Sequence, residues 1–570
     1  MSVRVIPVFL LLACVFLLAD SREPAGWNRD AHPHAQNAAQ SLTPDGILEL
    51  QREITVLATS GSAEIAETGF AQDAQALYSA LGYSLAWFTE NQPTSQARQI
   101  IEELKHADEK GLRPEDYDGP SWDARVAAFT PPKRPSDTDK IAFDVALTFS
   151  TMRFLTHLHH GRVNPDSLHF ALSPERKTFD VSEFLRTNLL HAEDVHAATG
   201  SVEPQFFAYR RTLQALHNYL GLAQKESRSL LPRALEGIRL GDSHPALPLL
   251  VQRLQLLGDL AVSESQENQV YDRDLQSAVA RFQSRQGLDA NGALDRATLD
   301  QLNTPLTRRV MQLQLTLERW RWLPQTFTVP PVVVNIPEFR LYAFREDHRV
   351  ALDMNVVAGR AYRHETPVFT SSLRSVVFRP YWNVPLTIQR NELVPEIDSH
   401  PSYLADNGFE IVDAGNQVPV NADDPQERDR KLKSGEWLLR QKPGPRNSLG
   451  LVKFELPNPY EIYLHGTPAQ ELFAKSRRDF SHGCIRVEDP VALAVWILRG
   501  NPEWSEERIR SAMNGEATVR VNLKEPIPVW ILYGTAVVRE DDEVHFLEDI
   551  YGHDAALERA LEKLPAGTSH

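Results

Sequence analysis

Cysteine is almost absent: the 570 residues contain two, Cys14 and Cys484. Met1 to Ala19 carries one basic residue, Arg4, and then an apolar run from Val5 that stops at Asp20. A spanning helix needs about 20 apolar residues, so residues 1–20 read as a secretory signal peptide or an uncleaved anchor. Leu11-Leu12-Ala13-Cys14 has a faint lipoprotein-box character, against which the apolar residues continue beyond Cys14. Once the segment is removed, Cys484 is the lone thiol of an exported chain, and an internal disulfide is excluded. Positive charge is also short. The formal charge is −16 and no Lys/Arg cluster occurs, which excludes nucleic acid as an electrostatic partner. An anionic glycan would have to be held by a shaped site. No phosphate loop and no metal-ligand spacing is visible, so no cofactor and no metal are expected. The rest is ordinary globular composition, 42% hydrophobic and 24% charged, enough for about three or four domains.

In chain order, residues 21–40 are polar and aperiodic, a tether. Residues 43–235 turn helical: Ile100, Ile101, Leu104 and Ala107 recur at helical spacing before Gly111, and Phe143, Leu147, Phe154 and Leu158 do so before Gly161. His157, His159 and His160 invite a metal reading, but they crowd a helix end without a carboxylate or cysteine at ligand spacing, where histidines suit the negative end of the dipole. Residues 240–304 form a compact three-helix unit around Leu249–Leu257, Ala278–Gln283 and Thr298–Leu302. A helix over 307–321 follows. The period then becomes that of strands at 332–336, 339–344 and 352–357. Between 388 and about 435 the alternation gives way to helix and charge. A helix over 490–498, strand patterns at 519–521 and 528–533, and a helix over 554–563 complete the chain.

The chemistry concentrates in Tyr463-Leu464-His465-Gly466-Thr467-Pro468 and Ser481-His482-Gly483-Cys484-Ile485-Arg486. A thiolate is the nucleophile and a free thiol is mostly protonated at neutral pH, so Cys484 needs a base or a positive charge nearby. A strand ending in His465 and a turn carrying Gly483 and Cys484 would supply it. Gly483 lets the backbone pass close to an acyl group, and the amides around Cys484 would serve as an oxyanion hole. The inert alternative is a buried cysteine beside two satisfied histidines.

These two motifs resemble the signature of the L,D-transpeptidases with a YkuD-type catalytic domain, in the long Gram-negative form. The resemblance implies a multidomain α+β chain: a helical scaffold domain at 43–235, a peptidoglycan-binding module at 240–304, and a mostly-β catalytic domain at 328–505. It further implies a helical lid insertion at about 388–435, and a tail, 506–570, that completes the catalytic sheet. Landmarks for the scaffold are Leu77-Tyr78, Ala86-Trp87 and the run from Gly111 to Tyr117. By the same resemblance Cys484 is the nucleophile, His465 the base and Gly466 the carbonyl that orients it. Ser481, His482, Gly483, Arg486 and Tyr463 shape the oxyanion and substrate pocket. Family members often carry Asp where Gly466 stands, a harmless change if only the carbonyl matters. The implied partners are peptidoglycan stem peptides, a donor tetrapeptide and an acceptor stem, and possible other wall-synthesis proteins, with a membrane contact only through an uncleaved N-terminal segment. The implied activity is 3→3 crosslinking in the periplasm with release of D-alanine, and covalent trapping by carbapenems. A carboxypeptidase, transfer to a lipoprotein, and a non-catalytic wall-binding scaffold are the alternatives. Left open are Tyr381 and Trp382, as core or as groove wall, and Lys453 and Arg440, as carboxylate ligands or salt bridges. The small module either binds ligand or serves as a rigid spacer.

Overall fold

The computed structural model describes residues 42–564 apart from 61–68, 90, 131–132, 134, 173–177, 228, 263–268, 328 and 401. The N-terminal segment with Cys14 and the tether lie outside the described residues. The fold is multidomain α+β. The helical N-terminal region is organised on Asp144, which is fully buried in the helix Asp137–His160. Its carboxylate accepts from Tyr78 Oη (2.7 Å), Ala86 N (3.0 Å) and Trp87 N (2.7 Å). The sequence landmarks around Tyr78 and Trp87 are therefore the donors that satisfy one buried acid. Burial pushes that acid up to about 6, and the three donors pull the other way. His157 and His159 are buried structural residues: Tyr117 Oη lies 2.8 Å from His157 Nδ1, and His159 stacks on Phe179.

The three-helix unit comprises Leu247–Leu256, Arg273–Arg285 and Arg296–Leu302. Its landmark Gln283 is 1% exposed, donates to Ala293 O and Thr298 Oγ1, and accepts from Gly292 N. The landmark thus builds the module's own turn.

The helix Leu306–Arg321 does more than link. Leu313 and Leu317 pack with Leu216 and Tyr219 of the helix Phe207–Lys225, while Leu315 enters the catalytic core. Its Glu318 accepts from Val163 N (2.9 Å) and meets Arg162 (3.7 Å) and Arg321 (3.9 Å). Gly161 is obligatory here, because at φ +81° a Cβ would sit 2.7 Å from Glu318 Oε1.

The catalytic unit is one mixed sheet of nine strands: β1 Val332–Asn335, β2 Arg340–Phe344, β3 Val350–Gly359, β4 Phe369–Phe378, β5 Val452–Glu455, β6 Leu464–His465, β7 Asp479–Ser481, β8 Ile485–Val487 and β9 Val519–Leu532. Their order is β7-β3-β8-β6-β5-β4-β9-β1-β2, and an additional β2–β3 pairing closes the sheet on itself. The two strand patterns of the tail are a single strand, β9, whose register shifts between Asn522 and Ile527. Lys524-Glu525-Pro526 interrupts the pattern there without ending the strand. Helices Pro490–Ile497 and Glu506–Asn514 pack on the sheet through Leu493, Ile497 and Ile509.

The insertion is not merely helical. Trp382–Asn383, Phe409–Asp413 and Trp437–Gln441 form a separate three-stranded sheet with its own core of Val394, Ile397, Phe409, Leu432 and Leu439. The charged helix Pro425–Ser434 covers it. Among the described residues no helix is long and apolar enough to cross a membrane.

Asp144→Ala would strand the Ala86 and Trp87 amides in the helical core, leave the Tyr78 hydroxyl only Thr148, and is expected to cost about 3 kcal/mol. Hydrogen exchange should show it locally, as roughly hundredfold faster exchange in the helix Asp137–His160 with the catalytic sheet unchanged.

Candidate active site

The site depends on a short parallel pairing. In β6 and β8, Leu464 lies opposite Ile485 and His465 opposite Arg486. Tyr463 O accepts the Ile485 amide at 3.1 Å, which extends the register to Tyr463 and Cys484. Leu464, Ile485 and Val487 are fully buried in the core. Side chains alternate across a strand, so Tyr463, His465, Cys484 and Arg486 share the other face.

His465 is buried, and its Nδ1 lies 2.5 Å from Gly466 O. A carbonyl can only accept, so Nδ1 carries the proton and Nε2 keeps its lone pair. Burial pushes the imidazole down to about 3, and the positive charge of Arg486 adds to this. His465 is thus neutral at physiological pH and able to take a proton. Gly466 contributes its carbonyl alone, since a Cβ there would find only ordinary contacts, the nearest at 3.5 Å. The stringent glycine is Gly450: at φ +62° its Cβ would lie 2.6 Å from Thr467 N and 2.7 Å from Gly466 C.

Cys484 is half-buried. Burial raises its thiol above the ordinary range, while Tyr463, Lys453 and Arg486 pull it back. The same two cations that oppose an imidazolium on His465 favour a thiolate on Cys484. Cys484 Sγ lies 3.8 Å from Glu461 O, and Glu461 adopts φ +56°. Tyr463 is held above its usual value by burial and by the neighbouring Cys484, with the Trp382 indole as an opposing hydrogen-bond partner. Lys453 Nζ sits 4.2 Å from the Tyr463 ring centre and 3.3 Å from Glu455. Arg440 pairs with Glu410 at 2.6 Å and lies over Tyr381, so both cations make intramolecular salt bridges. Tyr381, left open between core and groove wall, is 44% exposed and directly precedes Trp382–Asn383, an edge strand of the insertion's own sheet.

Ser481 and Gly483 build the turn. Ser481 Oγ donates to Cys484 O at 2.5 Å and accepts from Gly483 N at 3.1 Å. Gly483 adopts φ +115°, and its carbonyl accepts from Thr366 Oγ1 at 2.7 Å. Thr366 Oγ1 in turn accepts from Gly359 N at 2.9 Å. Tyr551, from the tail, donates to Gly359 O at 2.5 Å. No local pattern announces Tyr551, since only the fold brings it to β3. His482 sits in the turn between Ser481 and Gly483. Its Nε2 lies 2.7 Å from Glu392 Oε1, and its ring centre 4.8 Å from that of His364. Sequence spacing shows no metal-ligand cluster, yet the fold gathers these three donors.

Burial opposes charge on both groups, pushing His465 down to about 3 and the Cys484 thiol up, which disfavours a His–Cys ion pair at rest. The rate of Cys484 alkylation by iodoacetamide should therefore climb steadily through pH 6–9 without a plateau. A plateau beginning below about pH 7 would contradict this assignment.

Comparison with known families divides the chain into a scaffold domain over residues 72–216, a "Putative peptidoglycan binding domain" over 243–302 and an L,D-transpeptidase catalytic domain over 331–509. The last contains every residue of the quartet. A curated Haemophilus influenzae protein named "Putative L,D-transpeptidase" is 32% identical over 250 residues, covering 44% of this chain and 49% of that protein. The chain thus spans about half the length of that relative. A crystal structure of an L,D-transpeptidase from Stackebrandtia nassauensis aligns with 52% of this chain and 94% of its own, at 13% identity and a TM-score of 0.22, too distant to carry an argument.

Proposed function

We propose, from the premise that this chain belongs to the L,D-transpeptidase family, that it forms 3→3 peptidoglycan crosslinks through a thioacyl-enzyme on Cys484. The observation that carries the proposal is the shared face of Tyr463, His465, Cys484 and Arg486, with Nδ1 of His465 fixed on Gly466 O. The Cys484 thiol gives its proton to His465 Nε2 as sulfur attacks the carbonyl between the L-centre of meso-diaminopimelate and D-alanine. The carbonyl oxygen becomes an oxyanion. Gly483 N–H is already engaged by Ser481, so the Cys484 amide is the donor at hand for that charge. The C–N bond breaks, His465 protonates the departing D-alanine amine, and a thioester remains. The side-chain amine of a second stem then attacks, losing its proton to His465. The C–S bond breaks, and the thiolate regains its proton from His465. Two acyl transfers replace one difficult step.

In this reading the small module holds glycan near the site, and the enzyme works in the periplasm after export through its N-terminal segment. The compact insertion over Trp382–Gln441 caps the site and excludes water during the thioester's lifetime. Its Trp382 beside Tyr463 supports that placement.

Purified protein incubated with disaccharide-tetrapeptides should give, by mass spectrometry, a crosslinked dimer lacking one D-alanine. Cys484→Ala should abolish it, and His465→Ala should reduce turnover by about 10²–10⁴. Tripeptide alone would assign water as acceptor. No product from folded protein would remove the enzymatic reading. Independently, a carbapenem should add its mass to the wild-type chain and not to Cys484→Ala.

A further inference from the structure

Three donor side chains from distant parts of the chain meet beside the catalytic turn without a role in the proposed reaction. His364 comes from the loop between β3 and β4, directly after Tyr362 and Arg363, which hold φ +72° and +82°. Two consecutive non-glycine residues in that region are uncommon, and such strain persists only where the surroundings fix it. Glu392 comes from the insertion, in the π-helical turn Gln389–Leu393. His482 comes from the turn itself, two residues before Cys484.

We propose that His364, Glu392 and His482 bind a divalent cation of the zinc class that ties the insertion to the loop carrying Cys484. One ligand atom from each lies within 4.8 Å of the other two. With metal–ligand bonds of about 2.1 Å, a tetrahedral ion sets its donors about 3.4 Å apart. The His482–Glu392 pair, at 2.7 Å, must open slightly, and the widest pair must close by up to about 1.4 Å. Side-chain rotation can supply both movements, because Glu392 is exposed and the two rings are only partly covered. Two imidazoles and one carboxylate suit zinc, with a water completing four-coordination. The neighbouring Arg360 and Arg363 weigh against a cation and limit affinity. A bound ion would replace the single His482–Glu392 contact by a three-point staple, holding the insertion over the thiol and slowing substrate entry.

The test uses the full chain carrying Cys484→Ala, so that the thiol cannot act as a ligand, titrated with Zn²⁺ by calorimetry. One-site binding is expected, weakened at least about tenfold by His364→Gln and equally by Glu392→Gln. His400→Gln, exposed elsewhere on the insertion beside Glu396, should leave it unchanged. Hydrogen exchange in residues 386–399 should slow with Zn²⁺ and fail to slow in the Glu392→Gln chain, which separates stapling from adventitious binding. Absence of binding, or binding untouched by both substitutions, would overturn the proposal. Because every readout is made without the thiol, such a failure leaves the transpeptidase proposal standing.

Discussion

Everything at the site depends on two residues of β6 lying parallel to two residues of β8. Parallel strands cannot be joined by a tight turn; they need a crossover of a dozen or more residues. That is the physical content of the spacer between Thr467 and Phe480. The crossover is itself tied down. Asp479 and Ser481 pair with Ala358 and Gly359 of β3, and Arg478 donates to Val356 O (3.2 Å) and Phe339 O (3.1 Å). Arg478 spends its charge on carbonyls inside the fold, and burial brings the guanidinium down to about 10. A one-residue slip of β8 against β6 would turn Cys484 and Arg486 into the core and Ile485 out to solvent. Burial of Leu464, Ile485 and Val487 is thus what selects the reactive register.

The electrostatics postpone charge separation. Lys453 and Arg486 act on both reacting groups, lowering the pKa of each. They make the thiolate easier and the imidazolium harder, so their net effect on the internal proton transfer largely cancels. Burial is not cancelled, since it opposes both charged forms. Burial therefore favours a neutral thiol and a neutral imidazole at rest, the thiol 3.8 Å from Glu461 O. Such a pair avoids the reactivity of a standing thiolate.

Spacing and residue type both mark the motif: His465, Cys484 and Gly483 read as a base, a nucleophile and a turn, and the structure brings His465 and the Cys484 turn together. The scaffold and module landmarks were equally legible, since Trp87 and Gln283 each serve a local core. Other features were hidden for identifiable reasons. Ser481 also satisfies the turn's own backbone, which only the hydrogen-bond geometry reveals. The β9 strand looked like two because a Lys-Glu-Pro stretch breaks the alternation while its flanks continue on β4 and then on β1. The insertion's sheet escaped because its strands are short, and the charged helix Pro425–Ser434 separates two of them. His364 and Glu392 carry no pattern at all, lying 118 and 90 residues from His482.

The tail is part of the catalytic unit rather than an appendix to it. The matched catalytic domain ends at residue 509, yet β9 lies between β4 and β1 in the closed sheet. Removing it would leave unpaired edges on both neighbours and open the ring. Beyond β9, Tyr551 donates to Gly359 O, whose residue also donates its amide to Thr366, the hydroxyl that holds Gly483 O. Asp554, 1% exposed, accepts from Arg319 at 2.6 Å and so joins the same tail to the central helix Leu306–Arg321. That helix buries Glu318 against Arg162 from the scaffold side. Breaking a buried pair of this kind by removing one partner is costly, because the other charge is left uncompensated. Hydrogen bonds and ion pairs thus link the scaffold to the central helix, that helix to the tail, and the tail to the turn that carries Cys484.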